Sequence, residues 1–273
     1  MTNGDNGFIC LSNNSAECKI SLWGANLVSY RPKTEKHDVF WLGDLNKFDK
    51  VQAIRGGVPV CWPRFAEEKL NARFPRHGFA RLSEWTLKKV SVDDTKIEAE
   101  LLLIPNAEYH LNVTAVLSVK ITDKLEYCLE TANYGEDDFE FCEALHAYFN
   151  IGSLDTAEIC GLDGYRYKSS LDGKIYRQDG NLKINGEFDA SFLDHGGNVE
   201  IADKTLNRII SVEKSGSDVT VVWNPAKDLA EMSAGQYKHF VCVEPANRGD
   251  AFVTLKSGEK HRISMTVRVK NIK

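Results

Sequence analysis

The segment 54–81 concentrates side chains that bind anions. It reads IRGGVPVCWPRFAEEKLNARFPRHGFAR and carries five arginines: Arg55, Arg64, Arg73, Arg76 and Arg81. Guanidinium groups donate hydrogen bonds in a planar, bidentate geometry that suits a phosphate or a carboxylate. Gly56 and Gly57 would let the backbone approach a ligand closely, and three prolines stiffen the path. The alternative is a solvated loop in which Glu67 and Glu68 pair with the arginines.

His77 lies inside this segment, directly after Arg76. Neighbouring cations disfavour protonation, so we expect His77 to be a neutral hydrogen-bonding group. No GK[ST] follows the two glycines, so the segment is not a Walker-type loop. Side chains would therefore hold any phosphate bound here.

Two residues elsewhere in the chain could exchange protons. His146 lies in the apolar stretch FCEALHAYFNI, and Glu244 lies near the end of the apolar stretch FVCVEPAN. A buried carboxylate is costly unless it is partnered or used. An acid and a base whose pKa values are tuned by burial could form a catalytic pair. The alternative, a core histidine and a structural buried acid, stays open because spacing alone does not decide it.

These candidates must be positioned by strands, because alternation of apolar and polar residues dominates the chain. NVTAVLSVKI and LEYCLETANY, separated by a short break, predict a hairpin, and HRISMTVRV predicts a half-buried strand. We predict an all-β antiparallel sandwich with short helices only at 44–48 and 228–232. The least strand-like stretches are 54–81, 162–180, 188–198 and 225–238. No low-complexity linker divides the chain, so we predict a single domain over 1–273.

Composition excludes several functional classes. The formal net charge is −5 at pH 7, which argues against general nucleic-acid binding. No stretch approaches the ~20 apolar residues of a membrane span, and the N-terminus has no signal-peptide pattern. The seven cysteines are odd in number and none are at CxxC spacing. We therefore expect reduced thiols in a cytoplasmic monomer, with neither a disulfide scaffold nor a zinc site.

Five strings, taken in order, resemble one family of enzymes: IRGGVPVCWPRF, HGFAR, EALHAYF, WNP and FVCVEPAN. They resemble the glucose-6-phosphate 1-epimerases (hexose-6-phosphate mutarotases) of the aldose 1-epimerase superfamily, from about Trp23 to the C-terminus. The resemblance implies a large galactose mutarotase-like β-sandwich with its site in a groove on one sheet. It also implies interconversion of the α and β anomers of glucose 6-phosphate without a metal or an organic cofactor.

The same resemblance implies individual roles for residues in the matching strings. It makes Glu244 the catalytic base and His146 the catalytic acid, starting as carboxylate and imidazolium. Substrate contacts are implied at Arg55, Arg81, His77 and Asp189.

The chain departs from the family pattern at two of these strings. Ala190 stands where the family often has an arginine, and Arg76 stands where it often has Gln or Ala. Arg76 therefore either adds a phosphate contact or points to solvent.

Three other functions remain compatible with the sequence. They are a mutarotase for free aldoses, a non-catalytic carbohydrate-binding sandwich, and a phosphosugar-sensing interaction protein. The arginines argue against the first, and the paired acid and base argue against the second. The sequence does not distinguish glucose 6-phosphate from galactose or mannose 6-phosphate.

Overall fold

The predicted all-β architecture is confirmed. A computed structural model describes residues 2–4 and 7–272, which form 22 strands and four short 3₁₀ helices. Every pair of neighbouring strands in this described part is antiparallel. The 3₁₀ helices are Ala80–Leu82, Ala107–Tyr109, Gln236–His239 and Gly249–Ala251.

Two eight-stranded sheets form the sandwich. The front sheet has the order β15-β14-β16-β19-β20-β11-β5, with β12 also paired to β20. Its strands are β5 (Val60–Cys61), β11 (Glu143–Leu145), β12 (Tyr148–Asn150), β14 (Arg166–Ser169), β15 (Ile175–Arg177), β16 (Phe188–Phe192), β19 (Val219–Asn224) and β20 (Phe240–Asn247). The back sheet has the order β13-β17-β18-β22-β9-β8-β7-β6. Its strands are β6 (Thr86–Val92), β7 (Ile97–Leu103), β8 (Val113–Ile121), β9 (Leu125–Asn133), β13 (Ala157–Cys160), β17 (Val199–Asp203), β18 (Arg208–Ser215) and β22 (Lys260–Asn271).

Two smaller sheets complete the fold. One has four strands in chain order and the other pairs β10 with β21. Their strands are β1 (Thr2–Gly4), β2 (Phe8–Ser12), β3 (Ala16–Ser21), β4 (Leu27–Pro32), β10 (Phe139–Phe141) and β21 (Val253–Leu255).

Residues that alternate along β20 separate the core from the candidate site. Val241 and Val243 belong to the main hydrophobic core between the two large sheets. Cys242 and Glu244 are equally buried, yet they lie on the opposite face, because successive side chains of a strand point to opposite sides. The front sheet therefore presents a buried polar residue on its outer face. The main core includes residues from Ile9 to Val267, as a single domain would require. The single domain over 1–273 stays a prediction.

Some local predictions were wrong. Residues 44–48 and 228–232 form turns and irregular chain instead of short helices. The stretches 162–180 and 188–198, predicted as loops, contain β14, β15 and β16. Polar and exposed residues in the β14–β15 hairpin hid it from an alternation argument. The edge strand β15 is exposed throughout, and β14 beside it has no buried residue. None of the helices in the described part of the chain is long and apolar enough to cross a membrane.

The stretch that carries His146 is not one continuous strand. Three short strands, β10, β11 and β12, replace it, and His146 and Ala147 lie between β11 and β12. The Ala147 N–H bonds to the carbonyl of Leu145 at 2.9 Å, which marks a tight local turn of the backbone. His146 therefore lies at an interruption of the sheet, where its ring is not constrained by strict alternation.

A second buried acid, Glu143, contacts a half-buried histidine, His261, and this contact connects the front sheet to the back sheet. Glu143 of β11 is fully buried, and its Oε1 lies 2.9 Å from Nε2 of His261 on β22. The side-chain amide of Asn247, at the end of β20, donates to the same oxygen at 2.9 Å. Burial alone would lower the pKa of His261, but the hydrogen bond and charge of Glu143 outweigh burial and raise it.

This contact predicts a pH-dependent contribution to stability. Because folded His261 holds its proton more tightly than the unfolded chain does, the contribution is complete below the ordinary pKa of 6.5 and is lost as the pH rises through the raised value. Wild type should therefore exceed His261→Gln in unfolding free energy most at low pH. Denaturant unfolding of both proteins, at pH values from below 6.5 to above the raised pKa of His261, measures the difference in unfolding free energy. A difference that does not depend on pH would contradict the prediction.

Candidate active site

His146 and Glu244, 98 positions apart in sequence, lie side by side. His146 Nδ1 is 3.3 Å from Glu244 Oε1, and the two side chains are 10% and 1% exposed. Neither His146 Nδ1 nor Glu244 Oε2 has a well-aligned hydrogen-bond partner among the described residues. Buried polar atoms usually have partners, and those that do not call for an explanation. The pair is therefore not a fully satisfied core contact, and it is a candidate reactive or binding group.

The surroundings of this pair favour its neutral forms. Burial, followed by the negative charge of Asp189, raises the pKa of Glu244 well above its ordinary value. Burial, followed by the positive charges of Arg81 and Arg55, lowers the pKa of His146 well below its ordinary value. These surroundings therefore disfavour the expected start as imidazolium and carboxylate in the sugar-free site. The neutral pair carries the same number of protons as that ion pair and differs from it by one proton transfer.

Aromatic rings fix the orientation of His146. The Tyr148 ring stacks on it with a centroid distance of 4.9 Å and an interplanar angle of 8°. The Trp223 ring meets it edge-on at 5.8 Å. Tyr148 lies two residues after His146 in the same apolar stretch, and the sequence gave it no role. Trp223 belongs to the string WNP that carries the family resemblance, but no role was implied for it.

Arg55 contacts this aromatic cluster from the loop side. Its Nη1 donates to the hydroxyl of Tyr148 at 3.1 Å, and its Nε lies 3.3 Å from Glu231 Oε2. The side chain of Asn46 bonds both the N–H and the carbonyl of Arg55, at 2.8 and 2.9 Å. The loop backbone is thus fixed, and Arg55 is one of the cations that act on His146. Glu231, a residue that sequence reasoning missed, neutralises part of its charge.

Arg81 differs from Arg55 because it has no carboxylate partner within salt-bridge distance among the described residues. It lies in the 3₁₀ helix Ala80–Leu82, and its Nη2 donates to the backbone carbonyl of Arg76 at 3.0 Å. Its Nε is buried without a partner in the same part of the chain. Burial lowers the pKa of Arg81, yet a guanidinium remains charged in proteins. An arginine with a buried Nε and no carboxylate partner in this part of the chain is a candidate contact for an anion.

The other three arginines of the segment lie outside this group. Arg76 is 60% exposed and pairs with the exposed Glu67 at 3.1 Å, which supports the solvated interpretation. Arg64 donates to the backbone carbonyls of Glu68 and Phe74 at 2.9 and 2.7 Å and so holds the loop together. Arg73 packs on a phenylalanine ring. The segment therefore combines two arginines at the site with three that support its structure or face solvent.

His77 lies against His146, with a ring centroid distance of 5.6 Å. Burial, followed by the charge of Arg81, lowers the pKa of His77, so the ring is neutral as the sequence predicted. The backbone N–H of Ala66 donates to Nδ1 at 3.4 Å. In that tautomer Nε2 carries the proton and is a hydrogen-bond donor.

Asp189 lies on β16, opposite Trp223 of β19. Its charge acts on Glu244, which places it beside the pair. Ala190, which replaces an arginine common in the family, is buried in the main core on the opposite face of the strand. A side chain at 190 points away from the site, so the missing arginine removes no contact there.

The two glycines after Arg55 serve the fold and not a ligand. A Cβ on Gly56 would lie 2.4 Å from the carbonyl oxygen of Trp41, and one on Gly57 would lie 2.6 Å from that of Leu27. Both glycines have positive φ angles, 107° and 67°. The expectation that they bring backbone close to a ligand is therefore not supported, because the close neighbour is the protein's own backbone.

The sequence profile of the aldose 1-epimerase family matches residues 8–268. The chain belongs to the aldose 1-epimerase family. An Escherichia coli protein named “putative glucose-6-phosphate 1-epimerase” is 32% identical over 270 residues, covering 96% of this chain and 90% of its own. A solved structure from Salmonella typhimurium, described as a “putative mutarotase”, has a TM-score of 0.89 and 29% identity, covering 97% of this chain and 90% of its own.

The fold of this aldose 1-epimerase family member also agrees with more distant structures. A galactose mutarotase-like protein from Lactobacillus casei has a TM-score of 0.75 at 17% identity and covers 97% of this chain and 100% of its own. At that identity the likeness shows the fold alone, and it confirms the predicted galactose mutarotase-like sandwich. Family membership makes the chain an isomerase of the epimerase and mutarotase class.

Proposed function

We propose that the protein interconverts the α and β anomers of glucose 6-phosphate. The single observation that carries this proposal is the half-buried guanidinium of Arg81, whose Nε is buried, which has no carboxylate partner in the described chain and whose charge acts on His146. An uncompensated cation next to an acid and a base suits a sugar that bears a phosphate. The name of the E. coli relative supports the same substrate.

Catalysis moves one proton from the C1 hydroxyl to the ring oxygen. Glu244 takes the hydroxyl proton as the C1 carbonyl forms, and His146 protonates O5 as the C1–O5 bond breaks. Rotation about C1–C2 presents the other face of the aldehyde, and closure returns both protons. The ring-opened state then has neutral imidazole and a protonated carboxyl group, which are the forms that this buried site favours.

The phosphate supports this chemistry from a distance. A dianion at Arg81 and Arg55 offsets the positive charge that lowers the pKa of His146, and so favours the imidazolium that protonates O5. Its binding also holds C1 and O5 against the pair, so that remote binding energy supports the chemical step. His77 and Asp189 are proposed to contact the sugar hydroxyl groups.

Exchange spectroscopy of the anomeric protons tests the proposal. Glucose, galactose and mannose 6-phosphates and free glucose are each measured with and without the protein. Faster exchange of glucose 6-phosphate than of glucose supports the proposed substrate. Equal acceleration of both indicates a mutarotase for free aldoses, and binding without acceleration indicates a non-catalytic sandwich.

The remaining predictions about the cellular setting are also proposals. All seven cysteines are free, which fits a reducing compartment such as the cytoplasm. The negative net charge fits an enzyme that binds a small anion in a local cationic site and does not bind nucleic acid. We propose that one copy of the chain forms the complete site, as His146, Glu244, Arg55 and Arg81 all come from it.

The reaction should survive exhaustive treatment with EDTA. Every step of the proposed scheme is a proton transfer that His146 and Glu244 can perform, so no Lewis acid is required. The exchange rate is measured before and after chelation, and again after a divalent metal is added back. A rate lost on chelation and restored by metal would contradict the cofactor-free scheme.

A further inference from the structure

Cys242 shares the face of β20 that carries Glu244. The two are separated by one residue, so both side chains leave the strand on the same side. Across the sheet, Cys242 is in register with Tyr148 of β12, the residue that stacks on His146. His146, Cys242 and Glu244 thus offer a nitrogen, a sulfur and an oxygen that all lie within 4.8 Å of one another.

The geometry of these three atoms is close to that of a metal centre. Two ligand atoms of a tetrahedral Zn²⁺ are separated by about 3.4 Å for nitrogen and oxygen and about 3.6 Å when one is sulfur. The 3.3 Å between His146 Nδ1 and Glu244 Oε1 already fits. The Cys242 sulfur lies within 4.8 Å of a ligand atom of each of the other two residues, so binding requires it to approach by up to about 1.2 Å. His146 Nδ1 and Glu244 Oε2 are buried without partners among the described residues, so they are available as ligands.

We propose that His146, Cys242 and Glu244 bind a thiophilic divalent cation, such as Zn²⁺ or Cd²⁺, and that this cation is an inhibitor which excludes the sugar. Spacing in the sequence gave no sign of such a site, because the ligands come from a break before β12 and from β20. The cation would occupy the two groups that the proposed reaction uses.

Charge and ligand type predict which ions bind. When the cation binds, the Cys242 thiol and the Glu244 carboxyl group release their protons to solvent. The resulting thiolate and carboxylate supply two negative charges, which neutralise the dication and offset the repulsion from Arg55 and Arg81. Sulfur and imidazole ligands favour Zn²⁺ and Cd²⁺ over Mg²⁺ and Ca²⁺, which prefer oxygen. We therefore expect no binding of Mg²⁺ or Ca²⁺ at this site.

A neighbouring pair provides the sharpest control. Cys61 Sγ lies 3.5 Å from His77 Nδ1, so it forms a second buried cysteine–histidine contact at the same site. Among the described residues this pair is not joined by a carboxylate, whereas Glu244 is the third residue of the group with His146 and Cys242. Cys61→Ala and Cys242→Ala therefore remove equivalent thiols, of which only one belongs to the proposed centre.

Absorption spectroscopy with Cd²⁺ alone tests the site directly, without use of the enzymatic reaction. Cd²⁺ is added below one equivalent, so that the tightest site fills first, and thiolate-to-metal charge transfer is recorded. Wild type and Cys61→Ala should show the band. Cys242→Ala should lower Cd²⁺ affinity by more than about 100-fold, because even loss of a group that only supports a ligand costs 10–100-fold.

Two further measurements keep the inference falsifiable. Cys242→Ser, which preserves volume but removes the soft ligand, should also lose the band, and near-UV circular dichroism shows whether each variant is folded. Glucose 6-phosphate should displace Cd²⁺ from wild type. No band in wild type, or a band kept by the folded Cys242 variants, overturns the proposal. Absence of anomer exchange would instead contradict the proposed function and leave the Cd²⁺ result intact.

Discussion

Glu244→Gln and His146→Asn should each lower the anomer exchange rate by about 100-fold or more, the usual contribution of a positioned acid or base. Each substitution keeps a side chain of similar size but removes the group that accepts or donates the proton. His146 Nδ1 and Glu244 Oε1 are 3.3 Å apart, so each substitution removes one of the two proton-exchanging groups of the pair. Exchange spectroscopy with glucose 6-phosphate measures the loss.

His195→Asn is the matched control for the histidine. His195 is also fully buried, but its ring bonds to Thr220 and the carbonyl of Gly161, away from the pair. Its replacement should lower stability and leave the exchange rate close to wild type. If Glu244→Gln or His146→Asn kept more than about a tenth of the wild-type rate, the assigned role of that residue would be wrong.

Arg81→Ala should lower kcat/KM for glucose 6-phosphate by roughly 10–150-fold, because a charged hydrogen bond contributes ~1.5–3 kcal/mol. Turnover of free glucose should change much less, since glucose has no phosphate to bind. The buried, unpartnered Nε of Arg81 is the structural reason for expecting a large effect. Steady-state kinetics with glucose 6-phosphate and with glucose give the ratio of the two kcat/KM values. A fall in this ratio would show that Arg81 binds the phosphate.

Arg76→Ala is the matched control for the phosphate contact. Arg76 is five residues away in the same segment, but it is 60% exposed and paired with Glu67. Its removal should change kcat/KM by less than about fivefold, as expected for an exposed ion pair. A cost equal to that of Arg81→Ala would show that Arg76 also reads the phosphate. Equal losses for both sugars in Arg81→Ala would show that Arg81 only supports the fold.

Arg55→Ala should affect both sugars more evenly than Arg81→Ala does. The Arg55 guanidinium is shared between Glu231 and the hydroxyl of Tyr148, which stacks on His146. Its loss should therefore disturb His146, the proposed catalytic acid, as well as any contact to phosphate. The sequence grouped Arg55 and Arg81 together, and the structure separates them by the presence or absence of a carboxylate partner.

Alternation along single strands determined much of the fold. The hairpin of β8 and β9 and the long β22 follow from a period of two, because one buried face and one polar face leave a single favourable register. Breaks inside an apolar stretch have no such signature. His146 was predicted within a strand, yet it lies between β11 and β12, where every neighbouring residue is also buried and apolarity carries no positional information.

The sequence by itself determined which residue types were available: an acid and a histidine in apolar stretches, and an arginine-rich segment. Only the tertiary structure decided which of them meet. The front sheet places β20 beside β11 and β12. It thereby brings Glu244 and Cys242 next to His146, although they are 98 and 96 positions away from it in the sequence. Loop packing buries the Nε of Arg81 without a carboxylate partner in the described chain and leaves Arg76 at the surface. Such contacts depend on distances between elements, which no local pattern of side chains encodes.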